Sequence, residues 1–156
     1  MKAQVIMAPE DFRSRTGSAT SVFLAGSIEM GQADDWQSAL SEQLANDDVL
    51  LLNPRRTEWD ASWEQSIDNP HFLEQVEWEL EAMETADCIA MHFCPETQSP
   101  ITLLELGLHA KSGKLIVLCP LGFWRKGNVD VLCQRYNITT VESLAELVQE
   151  IRNRVC

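Results

Sequence analysis

The sequence predicts an α/β domain with a doubly wound, mostly parallel sheet of about five strands and helices on both faces. Short apolar runs alternate with helix-period segments along the chain. A small-residue turn at Gly26 and Ser27 joins the first strong strand to the helix after it. The length of 156 residues suits one such domain and is too short for two.

Residues 1–20 hold an apolar patch, AQVIMAP, and then a polar stretch, which reads as an extension or edge strand followed by a loop. Residues 21–156 read as a single domain. SVFLAGS is a buried strand, and the following GQADDWQSALSEQLAN carries Trp36, Leu40 and Leu44 at helical spacing. DVLLLNPRR is a second strand, stopped by Asn53 and Pro54, and about fifteen residues rich in Trp, Asp and Ser come after it. A loop of that length usually carries function.

Asn69 and Pro70 supply an N-cap and a first-turn proline for a helix to about Thr85, with Phe72, Val76, Leu80 and Met83 on its apolar face. DCIAMHF is a third strand. Ser99 and Pro100 open the helix TLLELGLHAKSG, which Gly113 stops, and KLIVLCP is a fourth strand. A polar segment precedes a last helix over residues 141–154. The size and element order fit a flavodoxin-like fold, whose ligands bind beyond the carboxyl ends of the strands. Those loops are residues 25–31, 53–69, 94–99 and 119–130.

Composition narrows the function. Hydrophobic residues make up 45% and charged residues 23%, and the net charge of −12 disfavours polymeric nucleic acid and anionic membrane surfaces. No Lys or Arg occurs between Arg56 and Lys111, where twelve of the 24 acidic residues lie. The five cysteines include no CxxC pair, there is no signal-peptide pattern, and no window is long and apolar enough to span a bilayer. These features predict a soluble cytoplasmic protein with reduced, mostly buried thiols. His71, His92 and His109 show no metal spacing with the cysteines, so neither a metal nor a cofactor is expected. Cys119 has no His or Asn placed to activate it as a nucleophile.

Glu105 stands out because it lies inside ITLLELGLHA among Ile101, Leu104 and Leu108. One turn after Ile101 and three residues before Leu108, it is expected to share their stripe and face the sheet or a cavity. A buried carboxyl has a raised pKa and needs a partner or a use. The alternative is a flank position where the side chain reaches solvent or caps a loop. Glu79 follows the same pattern, with Phe72, Val76 and Met83, on a helix whose other acids read as a solvated face. If the two carboxylates meet at the carboxyl edge, they suit acid/base and nucleophilic chemistry at a glycosidic bond.

Gly26 allows a close backbone approach, and Ser27 can bond a sugar or phosphate oxygen. There is no GxGxxG and no P-loop. Ser99 is expected to cap the Glu105 helix and is also an anion-site candidate. Arg55 and Arg56 can bind a carboxylate, a phosphate or a purine edge, or form surface ion pairs. Trp59, Trp63 and Trp124 sit on ligand-side loops, where they can stack a base or serve packing.

VFLAGSI, WELEAMETADCIAM, SPITLLELGLHAKSGK and GFWRKGNVD, with NPRR and Trp59-Asp60 after the second strand, resemble the nucleoside 2-deoxyribosyltransferase family over residues 21–130. The resemblance implies N-glycosidic bond cleavage through a covalent deoxyribosyl intermediate, with the nucleophile at Glu105 and the family's usual Asp replaced by Glu79. It also implies a homodimer or higher oligomer with shared sites, because Asn128 matches an Asn that reaches a neighbouring subunit's site. Three positions depart from the pattern. Phe23 stands where many members have Tyr. Ser99 replaces the Asp of enzymes acting on free nucleosides, as in the related deoxynucleoside-monophosphate N-glycosidases. Glu29 stands where those hydrolases place a phosphate-binding Arg, so Arg55, Arg56 or Arg125 would have to substitute. The small-molecule partner implied is a nucleoside or nucleotide. Competing readings are a nucleoside-sensing module that has lost the chemistry and a purely structural interaction domain.

Overall fold

The computed structural model describes residues 2–15, 19–28, 34–57 and 59–155. Its strands are β1 (Gln4–Met7), β2 (Thr20–Gly26), β3 (Val49–Asn53), β4 (Cys88–His92), β5 (Leu115–Leu118) and β6 (Thr139–Val141). They form one sheet in the order β1-β3-β2-β4-β5-β6, and every neighbouring pair is parallel. The helices are α1 (Trp36–Gln43), α2 (Pro70–Thr85), α3 (Pro100–His109), α4 (Lys126–Arg135) and α5 (Leu144–Val155). This is the doubly wound, flavodoxin-like arrangement, with one strand more than the expected five.

Alternation along each strand divides the core in two. Phe23, Ala25, Leu50, Leu52, Ile89 and Met91 join Trp78, Met83 and Leu106 beneath α2 and α3. Their sequence neighbours Val22, Leu24, Leu51 and Ala90 point the other way, to Leu40, Leu147 and Ile151 of α1 and α5. Covering both faces explains why the strands read as unbroken apolar runs. Among the described residues, no helix is long and apolar enough to cross a membrane.

Two elements go beyond the sequence reading. The segment read as polar contains α4, which commits only Val129 and Cys133 fully to the core, too few for a clear helical stripe. The extra strand, β6, has three residues, none fully buried. It displaces the start of the last helix from residue 141 to Leu144.

Strand order reverses between β2 and β4. From β2 the chain runs outward through α1 to β3, then returns through α2 to β4 on the far side of β2. The crevice at such a point lies beyond Gly26 and His92, which face each other in register.

Candidate active site

The crevice floor is closely built. A Cβ on Gly26 would meet the His92 carbonyl oxygen at 2.3 Å and Trp36 Cζ2 at 2.7 Å, so only glycine fits. Ser27 then turns inward. Its amide donates to the His92 carbonyl at 3.1 Å, and its Oγ accepts from the Cys94 amide at 2.9 Å. Ser27 Oγ also lies 3.0 Å from Thr97 Oγ1, which is 2.7 Å from Ser99 Oγ, and the two serine hydroxyls bond each other. Thr97 donates to the Cys94 carbonyl at 2.9 Å, so its own proton is committed and the serines supply the protons of this buried cluster.

Ser99 occupies the N-cap position of α3 but makes no side-chain cap bond, contrary to expectation. Its backbone is left-handed, at φ 46° and ψ 54°, and its hydroxyl turns back to Ser27 and Thr97. A non-glycine residue in that conformation is strained and persists because its surroundings hold it there.

Glu105 is 7% exposed, as a core-facing position requires, yet its companions differ from those expected. The inward face of α3 is Thr102, Glu105, Leu106 and His109, whereas Ile101, Leu104 and Leu108 are 59%, 67% and 60% exposed. The expected shared stripe is therefore split, with the acid inside and the leucines outside. On α2 the buried residues are Gln75, Trp78, Ala82 and Met83, so the inward face is rotated from the predicted stripe, and Glu79 sits among them partly buried.

The two carboxyls perturb each other. Burial lifts Glu105 to about 7. Burial and then the nearby Glu105 push Glu79 well above the ordinary range, against a hydrogen bond from Gln75. Both shifts favour the protonated form, so this pair holds a proton more tightly than an ordinary carboxyl does. With one member ionised and the other protonated, such a pair would supply a carboxylate nucleophile and a carboxylic acid. Gln75, which the sequence reading missed, also donates from Nε2 to the Pro54 carbonyl at 2.8 Å and so ties α2 to the loop after β3.

In that loop both arginines form the ion pairs read as an alternative, with half-exposed acids, while their own side chains are largely buried. Arg55 donates to Gln37 Oε1 at 2.8 Å and to the Asp34 carbonyl at 2.7 Å, and pairs with Asp35 at 3.3 Å, clamping the end of β3 to the start of α1. Arg56 pairs with Glu74 at 2.8 Å and lies over the Trp63 ring, 5.2 Å from its centroid. Trp63 stacks on His71 with centroids 4.6 Å apart and an interplanar angle of 10°, and Trp59 meets it edge-on at 5.0 Å.

The remaining candidates lie elsewhere. Phe23 is fully buried and packs edge-on to Trp78, so its ring forms part of the core beneath α2. Trp124 is half exposed, with its indole nitrogen donating to the Gln98 carbonyl at 2.9 Å and Arg125 over its ring. Asn128 lines an open groove on α4 with Val131, Leu132 and Arg135. Glu29 lies outside the described residues. Burial holds His92, read as a core or edge residue, down to about 4, a neutral imidazole edge-on to Trp36. Among the described residues, no cluster of three or more His, Cys, Asp or Glu could hold a metal ion. Thr97, Gln75 and Gln37 had one legible signal, a polar residue placed where an element must be buried.

Comparison with known proteins gives two positive findings. The family model described as nucleoside 2-deoxyribosyltransferase like matches residues 19–123, a stretch that contains Ser27, Arg56, Glu79, Ser99 and Glu105 and stops short of Trp124 and Asn128. A crystal structure of a conserved protein from Enterococcus faecalis V583 superposes with a TM-score of 0.60 at 19% identity, covering 88% of this chain and 99% of that one. At that identity the likeness establishes the fold alone. No curated protein matches significantly.

Proposed function

Because the chain belongs to the nucleoside 2-deoxyribosyltransferase like family, we propose that it cleaves the N-glycosidic bond of a nucleoside or nucleotide through a covalent glycosyl-Glu105 intermediate. The observation that carries this reading is the interacting pair of Glu105, buried on the inward face of α3, and the partly buried Glu79 of α2, both raised above the ordinary carboxyl range. The Glu105 carboxylate attacks the anomeric carbon, a C–O bond forms as the C–N bond breaks, and the electron pair of that bond leaves with the base. Protonated Glu79 supplies the proton that the base needs. Water or a second base then attacks the same carbon as the C–O bond to Glu105 breaks and its electron pair returns to the carboxylate, Glu79 takes back a proton from the attacking group, and the configuration is retained.

Ser27 and Ser99 meet the sugar end, and the tryptophan loop covers the base. Asn128 acts across a contact between two copies of the chain. Support for that contact comes from the exposed Ile101, Leu104 and Leu108 on α3, the exposed Leu121 and Val131, and the apolar groove beside Asn128.

The test is chromatographic detection of free base from ribo- and deoxyribonucleosides and their monophosphates, with and without a second base. Wild type is expected to release base, and Glu105→Ala to lose the activity by a factor on the order of 10³ or more while remaining folded. Unchanged release by the variant overturns the assignment. Binding without any Glu105-dependent release identifies a nucleoside sensor instead, a reading favoured by Phe23 and Ser99 standing where related enzymes carry Tyr and Asp.

A further inference from the structure

Arg56 has more hydrogen-bonding capacity than the fold uses. Its side chain is 7% exposed, and Nη2 is held by Glu74, but Nε and Nη1 are buried without a hydrogen-bond partner among the described residues. Trp59 Nε1 and Gln75 Oε1 are in the same condition. Buried polar groups are nearly always satisfied, and a concentration of exceptions in one place calls for an explanation. These groups are linked. The Trp59 amide bonds the Arg56 carbonyl at 3.3 Å, Trp59 and Arg56 both contact the Trp63 ring, and Gln75 holds the Pro54 carbonyl two residues before Arg56. Gln75 is also hydrogen-bonded to Glu79, so the unsatisfied groups border the carboxyl pair.

The Trp63 ring takes both the His71 imidazole, stacked at 10°, and the Arg56 guanidinium, 5.2 Å from its centroid. The ring contact and the Glu74 pair hold the guanidinium in place, and Nε and Nη1 are the donors left over. An anion suits those donors poorly, because Glu74 already neutralises Arg56 and the chain carries a net charge of −12. Uncharged acceptors suit them well. An exocyclic oxygen beside a ring nitrogen is the pattern that arginine reads on guanine.

We propose that Arg56, helped by the Trp59 indole N–H, reads the leaving base and selects 6-oxopurines over 6-aminopurines. This rests on the N-glycosidase reading for its substrate and deepens it by naming the class of base. Arg56 is then a specificity residue, and Gln75 Oε1 accepts a hydrogen bond from a donor on the same base.

The test compares kcat/KM for base release from 2′-deoxyinosine and 2′-deoxyadenosine, each with and without a 5′-phosphate, in wild type, Arg56→Gln and Arg56→Lys. Calorimetric binding of free hypoxanthine and adenine is measured in parallel. Wild type is expected to favour the oxo base at least tenfold in both assays, and both variants to reduce that ratio at least tenfold. Arg56→Lys keeps the charge opposite Glu74, so a folded variant is available if Arg56→Gln does not fold. Equal use of both bases by wild type, or an unchanged ratio in the variants, overturns the proposal. It is also overturned if only the phosphorylated substrates respond to Arg56. Absence of all turnover sinks the reaction reading alone, and the binding ratio then decides the base preference.

Discussion

Helices α3 and α5 pack on opposite faces of the same sheet with opposite patterns. In α5, Leu147, Val148 and Ile151 are buried, while Glu146, Gln149 and Asn153 are exposed, the ordinary amphipathic order. In α3 the buried set is Thr102, Glu105, Leu106 and His109, and three large aliphatic residues face outward. Stability explains α5 and cannot explain α3, since burying a carboxyl and exposing leucines both cost free energy. The proposed site on the inner face and the proposed contact between copies on the outer face would both account for a helix turned this way.

Three substitutions probe that contrast. Leu147→Ala on α5 should cost about 3 kcal/mol, because it opens a cavity in a fully buried apolar layer. A loss under about 1 kcal/mol in urea unfolding would mean that α5 is not the ordinary half of the comparison. Glu105→Gln on α3 should act in the opposite direction, but only at higher pH. The folded protein holds the Glu105 proton to about 7 and the unfolded chain releases it near 4.5, so stability is fullest below 4.5 and declines as the pH rises towards 7. At pH 8 the glutamine variant should therefore gain about 3 kcal/mol over wild type, and at pH 4 nothing. A gain of equal size at both pH values would show that the charge is not the cause. The smallest effect belongs to Leu104→Ser on the outer face, which should change unfolding of the isolated chain by less than about 0.5 kcal/mol. Sedimentation should register it instead, as weaker self-association; an unchanged mass distribution would remove this face from the proposed contact between copies.

The same contrast explains what was legible in the sequence. Strands β2 to β5 and helices α1 to α3 could be read because each carries apolar residues in unbroken runs or at helical spacing, with caps such as Asn69, whose Oδ1 accepts from the His71 amide at 3.0 Å. Helix α4 and strand β6 could not, because they commit so little to the core. Glu105 was recognisable as a charge in an apolar helix, but a pattern in which the acid is inside and the leucines are outside reverses the rule used to orient it. The bond between Ser27 and Thr97 joins loops 70 residues apart and becomes visible only once β2 and β4 are side by side. Likewise, the burial of Arg56 depends on Glu74, Trp63 and His71, which no local spacing relates to it.

The all-parallel sheet also orders the steps of assembly. Parallel neighbours cannot be joined by a hairpin, so each pairing requires a crossover and a long closure of the chain, the slow regime of folding kinetics. Both β1 and β2 are synthesised before β3, they do not pair with each other, and β3 lies between them. Until Val49 and the residues after it emerge, neither of the first two strands has a neighbour, and their apolar runs wait unpaired. Strand β3 is therefore the partner that both of them need, and in the amino-terminal third the order of synthesis is not the order of neighbours in the sheet.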